Sequence, residues 1–175
     1  IAGEQGVAIV TLRNAQHVGR IGAYAEQLAA QGLVSIHFVN AIHDAACVAP
    51  FRGSAPRVMT NPVCIGVPGK RPVLLDFATS GIALGKVRVA HNKGVPVAPG
   101  LLIDAQGAAT TSPAVMFEPP KGAMLAFGGH KGWGLAFIAE LFGGGFSGGP
   151  TADDERAPMG LVNGMMMIVI DPARL

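Results

Sequence analysis

Charge is scarce in this chain. Only 14% of its 175 residues are Asp, Glu, Lys or Arg, and half are apolar. A disordered segment needs the opposite balance, so a folded chain is expected. The 13 basic and 11 acidic residues leave a net charge of +2 and form no basic tract. Nucleic acid and anionic membranes both require a concentrated cationic face, and neither is expected as a partner. Apolar stretches such as Met165–Ile170 fall far short of the roughly 20 residues a membrane-spanning helix needs, so a soluble protein is expected. Cys47 and Cys64 are the two cysteines, outside any CxxC spacing, which argues against a disulfide framework and for a reducing, cytoplasmic compartment. No initiator Met and no signal-peptide pattern opens the chain at Ile1, and it closes just after Met165–Ile170. Both ends read as cut from something longer.

The length suits one domain, which buries roughly 70% of its unfolded surface. Glycine (25) and proline (13) are abundant but show no G-X-Y period, so turns and close backbone approaches are expected. Val7–Leu12 reads as a strand, and Ile21, Tyr24, Ala25, Leu28 and Ala29 recur at helical spacing before Gly32. Leu33–Val39, Val63–Val67 and Val73–Phe77 read as further strands. Thr79–Ala90 reads as a short helix with Thr79 or Ser80 as its N-cap, and Leu101–Asp104 as a short strand. Leu135–Phe142 is an apolar helix carrying one acid, Glu140. Gly143–Pro150 reads as a glycine-rich break, Ala152–Pro158 as a polar loop, and Gly164–Ile170 as the final strand.

Several residues could carry chemistry. His17 falls between a strand end and a helix start, where an imidazole can exchange protons near neutral pH or simply face solvent. His37 reads as packed or half-exposed within its strand, and His43 and His91 as solvated. His37, His43 and Asp44 share no recognised ligand spacing, so no metal site is expected. Gly128–Gly134 runs directly into an apolar helix. Its glycines, with His130 and Lys131, make either a tight turn or a site for a pyrophosphate-sized anion at a helix N-terminus. It is not a Walker A loop, and no G-x-G-x-x-G follows the first strand; Asn40 stands where an acid would hold a ribose. Asp76–Ser80 could bind sugar hydroxyls or amide groups, or could cap a helix. Pro62 restricts Asn61 to an extended conformation, with its amide facing whatever the loop covers.

Five segments in order, Asn14–Tyr24, Val48–Gly53, Thr60–Pro62, Leu75–Ser80 and Phe127–Leu135, resemble the malate/L-lactate dehydrogenase family with a non-Rossmann nucleotide fold. That family also includes ureidoglycolate and sulfolactate dehydrogenases and imine-type reductases. The resemblance covers essentially the whole chain, although family members run to about twice its length. The implied fold is mixed α/β, a mixed or largely antiparallel sheet with flanking helices. The whole span 1–175 would be the cofactor-binding catalytic core of a longer dehydrogenase, a homodimer using NAD or NADP on a small 2-oxo or 2-hydroxy acid. By the same resemblance His17 is the catalytic acid/base. Arg20, Ile21, Gly22, Asp76, Phe77, Ala78, Thr79, Ser80, His130 and Lys131 would contact the cofactor, and Asn61 the substrate. Gln16, and Phe51-Arg52 in place of a common Trp-Gly, depart from the family pattern. The family's carboxylate-binding Arg would lie outside this chain, with Arg20, Arg52 and Arg57 as the nearby substitutes. Two alternatives remain beside this one: a non-catalytic nucleotide-binding fragment, and an imine reductase.

Overall fold

A computed structural model describes residues 1–43, 46–154 and 160–175. Asp44 and part of the expected polar loop at 152–158 lie outside the described residues. A short helix α1 (Ala2–Gln5) leads into strand β1 (Val7–Ala15), helix α2 (Gly22–Ala30) and strand β2 (Val34–Ile42). Strands β3 (Val63–Val67) and β4 (Val73–Phe77) form a hairpin, followed by helix α3 (Leu84–Lys93). Three two-residue strands, β5 (Leu102–Ile103), β6 (Ala109–Thr110) and β7 (Ala123–Met124), precede helix α4 (His130–Glu140) and strand β8 (Val162–Ile170).

The main sheet has the order β1-β8-β2-β3-β4, and every neighbouring pair is antiparallel. The short strands make a second antiparallel sheet, β6-β5-β7. This is the mixed α/β, largely antiparallel architecture expected from the sequence. The last strand enters the middle of the main sheet: β8 pairs with β1 on one side and with all of β2, from Val34 to Ile42, on the other. Successive side chains of a strand point to opposite faces. Val39 therefore joins Cys64 and Met165 beneath Ile21 and Ala25 of the α2 segment, while Phe38 meets Phe142 edge-on at 5.1 Å on the α4 side. Met165 and Met166 are buried in this core. A separate apolar cluster, centred on Val48, Val87, Leu102 and Met124, fills the space under α3 and the small sheet.

Three local expectations change. α3 starts at Leu84 with Ala83 as N-cap and no side-chain cap, because the Thr79 and Ser80 hydroxyls donate to backbone carbonyls of Thr60, Asn61 and Ile82 instead. The glycine-rich stretch after Glu140 does not break the helix at once. It widens α4 into a π-turn, 141–145, whose Gly143 lies so close to β2 that a Cβ would strike the Asn40 amide nitrogen. His91 is half-buried against Phe117, with Nε2 3.7 Å from Glu118. His37 is packed, the first of the two readings its strand position allowed, at 0% exposed.

His37 faces Ser35 through Nε2 at 3.0 Å, and its Nδ1 has no hydrogen-bond partner among the described residues. Burial pushes its pKa below the ordinary value, and this outweighs the opposing field of Asp76. A ring held neutral when folded binds a proton more readily when unfolded. Stability is therefore full above about pH 6.5 and falls as pH drops from there toward the lower folded value. Melting temperatures of wild type and His37→Gln across pH 5–8 check this: the acid-side slope should flatten in the variant, and an unchanged slope would exclude His37 as its source.

Candidate functional site

The site is built on two helix N-termini and the strand that runs between them. β1 slips register between Leu12 and Ala15, and Asn14 takes a positive φ of 54°, so the chain turns out of the sheet before His17. The loop is tied back at Val18, whose N–H donates to Asn163 on β8 (3.3 Å) and whose carbonyl accepts from the Tyr24 hydroxyl (2.7 Å). His17 stays exposed, and its Nδ1 accepts the Gly19 N–H at 2.9 Å. In the neutral ring that places the proton on Nε2, the nitrogen left for a ligand.

α2 begins without a cap from its own segment. Asp76 on β4 supplies one across the sheet edge: its Oδ2 accepts the Gly22 N–H at 2.8 Å. A Cβ at Gly22 would come within 2.5 Å of the Arg20 guanidinium and 2.7 Å of the Asp76 carboxylate, so a side chain there would displace both groups. Arg20 is held bidentately by Glu26, Nη1 to Oε1 at 3.0 Å and Nη2 to Oε2 at 2.6 Å. The guanidinium keeps the Glu26 carboxyl below the usual carboxylate range. Ile21 turns its side chain into the core, so any ligand contact from it falls to the backbone.

At the far end of β4 the chain is sewn to the segment before α4. Phe77 meets Phe127 edge-on at 5.5 Å, the Phe127 N–H donates to Thr79, and Ser80 bridges Ala126. Thr79 is wholly buried, and its hydroxyl donates to the Thr60 and Asn61 carbonyls. Gly128 and Gly129 then take φ values of 56° and 62°, conformations that favour glycine. α4 starts at His130 with no side-chain cap. His130 and Lys131 are exposed on its first turn, and His130 packs edge-on against Phe51 at 5.6 Å. A Cβ at Gly132 would strike the Phe127 carbonyl oxygen, so the glycine fixes how closely the loop folds over the helix. Beside this turn lies a cavity of about 550 Å³, lined among others by Phe51, Arg52, Gly81, Phe127 and Gly129. Among the described residues, Arg52 is its one charged lining residue.

Asn61 is not on an open surface. It is 0% exposed, and its amide is fully engaged, accepting from Ala41 and donating to the Ala136 carbonyl and Glu140. Its amide locks α4 to the β2–β3 connection. Glu140 was legible as the lone acid of an apolar helix. Its carboxylate accepts from Asn61 (2.7 Å), the Ala152 N–H (2.7 Å) and Asn40 (3.4 Å), and burial pushes its pKa up. Glu26 as the partner of Arg20, and Phe51 as the partner of His130, carried no sequence signal. Cys47 and Cys64 are buried free thiols, each pushed up to about 12 by burial. Among the described residues no group of three His, Cys, Asp or Glu could hold a metal, and no helix is long and apolar enough to cross a membrane.

Two helix starts joined to one strand, on an antiparallel sheet, define a mixed α/β class. The family model for malate/L-lactate dehydrogenases matches residues 1–175, and the chain belongs to that family. It is 51% identical over 176 residues to hydroxycarboxylate dehydrogenase B of Escherichia coli strain K12, covering 98% of this chain and 48% of that protein. It is 43% identical over 174 residues to an L-lactate dehydrogenase of Cupriavidus necator, covering 97% and 50%. Among solved structures, an E. coli protein described as of malate/lactate dehydrogenase type matches with a TM-score of 0.93 and 50% identity, over 99% of this chain and 50% of that one. The chain therefore spans about half the length of the relatives it matches.

Replacing Glu140 by Ala leaves two buried Asn amides and the Ala152 N–H short of an acceptor. The expected cost is about 2–4 kcal/mol of unfolding free energy, read by urea denaturation. A loss below about 0.5 kcal/mol, the size of an ordinary surface substitution, would show that the network does not hold α4.

Proposed function

We propose that this chain is the cofactor-binding catalytic core of an NAD(P)-dependent dehydrogenase acting on a small 2-oxo or 2-hydroxy acid. The observation that carries the reading is the placement of His17. Its loop is pinned by Asn163 and Tyr24, and its ring is fixed through Nδ1, at the end of the strand that leads to the Asp76-capped helix. Family membership supports it.

The residues present fit a dinucleotide. α4 starts behind two glycines with no side-chain cap; its Lys131, Gly132 and Trp133 N–H groups donate to the Gly128, Phe127 and Gly129 carbonyls, so a diphosphate would be met there by the His130 N–H and the exposed Lys131 side chain. Asp76 spends Oδ2 on Gly22, and its Oδ1 has no partner among the described residues, which leaves it free to accept from a sugar hydroxyl. Arg20 and the backbone of Ile21 and Gly22 border the same carboxylate, and Phe77, Ala78 and the Ser80 backbone continue from it toward Phe127. A nicotinamide cofactor, when bound, supplies or accepts the hydride. His17 does the proton work: it donates from Nε2 to the oxygen of a 2-oxo acid during reduction and takes the proton back in the reverse direction. Arg20 is committed to Glu26 and Arg52 lies over the Phe51 ring, so a substrate carboxylate would be bound mainly by residues beyond these.

A homodimer is part of this reading. The edge strand β1 leaves Val7, Ile9 and Val10 exposed, Ile9 at 61%, and an apolar edge of this kind is ordinarily covered. The two buried free thiols support a cytoplasmic location.

In the complete polypeptide His17→Ala should lower turnover of a 2-oxo acid by about 10²–10⁴-fold, with NADH or NADPH binding retained. Turnover equal to wild type would contradict the role given to His17. A cyclic imine acid reduced in preference to pyruvate-like substrates would favour the imine reductase instead.

A further inference from the structure

Buried polar side chains form one continuous line from the His17 loop to α4. Asn163 accepts the Val18 N–H at 3.3 Å and donates to the Asn40 carbonyl at 3.1 Å. The Asn40 amide accepts the Gly164 N–H at 3.0 Å and donates to Glu140 at 3.4 Å and to the Pro150 carbonyl at 3.0 Å. Glu140, on α4, accepts in turn from Asn61. All four side chains are buried. None of the three amides can turn over, because each would then set its NH2 group against an N–H and its oxygen against a carbonyl. Asn40 has no room to shift either: a Cβ at Gly144 would come within 2.5 Å of its Nδ2, and one at Gly164 within 2.7 Å of its Oδ1. Satisfied hydrogen bonds add only modest net stability, but they are directional, so the line fixes where Val18 lies relative to α4. His17 is the preceding residue. Its ring is oriented by the Gly19 N–H, inside the same loop, so the ring goes where the loop goes.

We infer that Asn163 is a positioning residue for proton transfer by His17, and that Glu140 acts on the same step through Asn40 and Asn163, so that the placement of the proton donor is tied to that of α4. This rests on the reading of His17 above. Glu140 is the hub because both of its oxygens are taken by N–H donors, Oε1 by Asn40 and Ala152, Oε2 by Asn61. A carboxamide of the same size would turn an NH2 group toward one of those donors. Glu140→Gln therefore cuts the line without opening a cavity.

The test is steady-state kinetics of the complete polypeptide, with NADH or NADPH and with pyruvate, oxaloacetate or 2-oxoglutarate, using the pair that wild type turns over fastest. Circular dichroism confirms that each variant is folded. Asn163→Ala should lower kcat about 10–100-fold, the scale of a displacement of about 1 Å at a reacting group, and leave the cofactor Kd and the 2-oxo acid KM within about threefold. Glu140→Gln should lower kcat about 3–10-fold, and the double variant should be no slower than Asn163→Ala alone, because the line is already cut. A residue that only supports the fold would lower the melting temperature and leave kcat of the folded enzyme unchanged. Folded Asn163→Ala with kcat within about twofold of wild type would overturn the inference. If Asn163→Ala does not fold, the same result for Glu140→Gln does so. A double variant whose loss is the product of the two single losses would also overturn it. His17→Ala separates the two levels: slow His17→Ala beside fast Asn163→Ala sinks the inference alone, whereas His17→Ala as fast as wild type sinks the reading of His17 with it.

Discussion

The position of β8 constrains everything else in the molecule. The last strand lies between β1 and β2, so the sheet cannot close until the chain has returned from its far end to pair with two strands formed near its beginning. Such non-local pairing is slow to form, and here it also places the site. Asn163, on β8, holds the loop that carries His17. Gly164, its neighbour, has no room for a Cβ beneath the Gly143 carbonyl, so the π-turn at the end of α4 is pressed onto the same strand. One strand thus fixes both the proposed acid/base and the C-terminal end of the helix whose N-terminus would take the anion.

The two helix starts divide the electrostatic work. Among the described residues, α2 receives a carboxylate from elsewhere in the chain, Asp76 on the Gly22 N–H, whereas the Lys131, Gly132 and Trp133 N–H groups of α4 donate to the Gly128, Phe127 and Gly129 carbonyls. α4 begins behind two left-handed glycines and a pair of exposed cationic-capable side chains. The difference follows from β4, which delivers Asp76 at one helix and Phe77 to the segment before the other. The buried Asn40–Asn61–Glu140 network then holds α4 in place from behind.

Much of this was legible in the residues. The strand runs at Val7, Val63, Val73 and Gly164 are mostly apolar stretches bounded by turn residues, and Gly32 marks the end of α2 as its spacing implies. Ordered motifs carried the family, because each sits at a turn whose geometry needs its glycine or polar residue. What failed to read were the long-range partners. Thr79 and Ser80 look like caps in sequence, but their hydroxyls find carbonyls around residues 60–61 and at Ile82, so α3 starts later. Asn61 looks available beside Pro62, and only the folded chain shows its amide closed against α4. Arg20 and Glu26 are six positions apart, outside the helical i, i+4 spacing, so their pairing could not be anticipated.

The central claim concerns where a dinucleotide lies on this scaffold, and a crystal structure of the complete polypeptide with NADH bound addresses it most directly. The diphosphate is expected at the start of α4, at the His130 N–H and the Lys131 side chain, the adenosine ribose at Asp76, and the nicotinamide within reach of His17. A diphosphate seated elsewhere, or a nicotinamide remote from His17, would contradict the account.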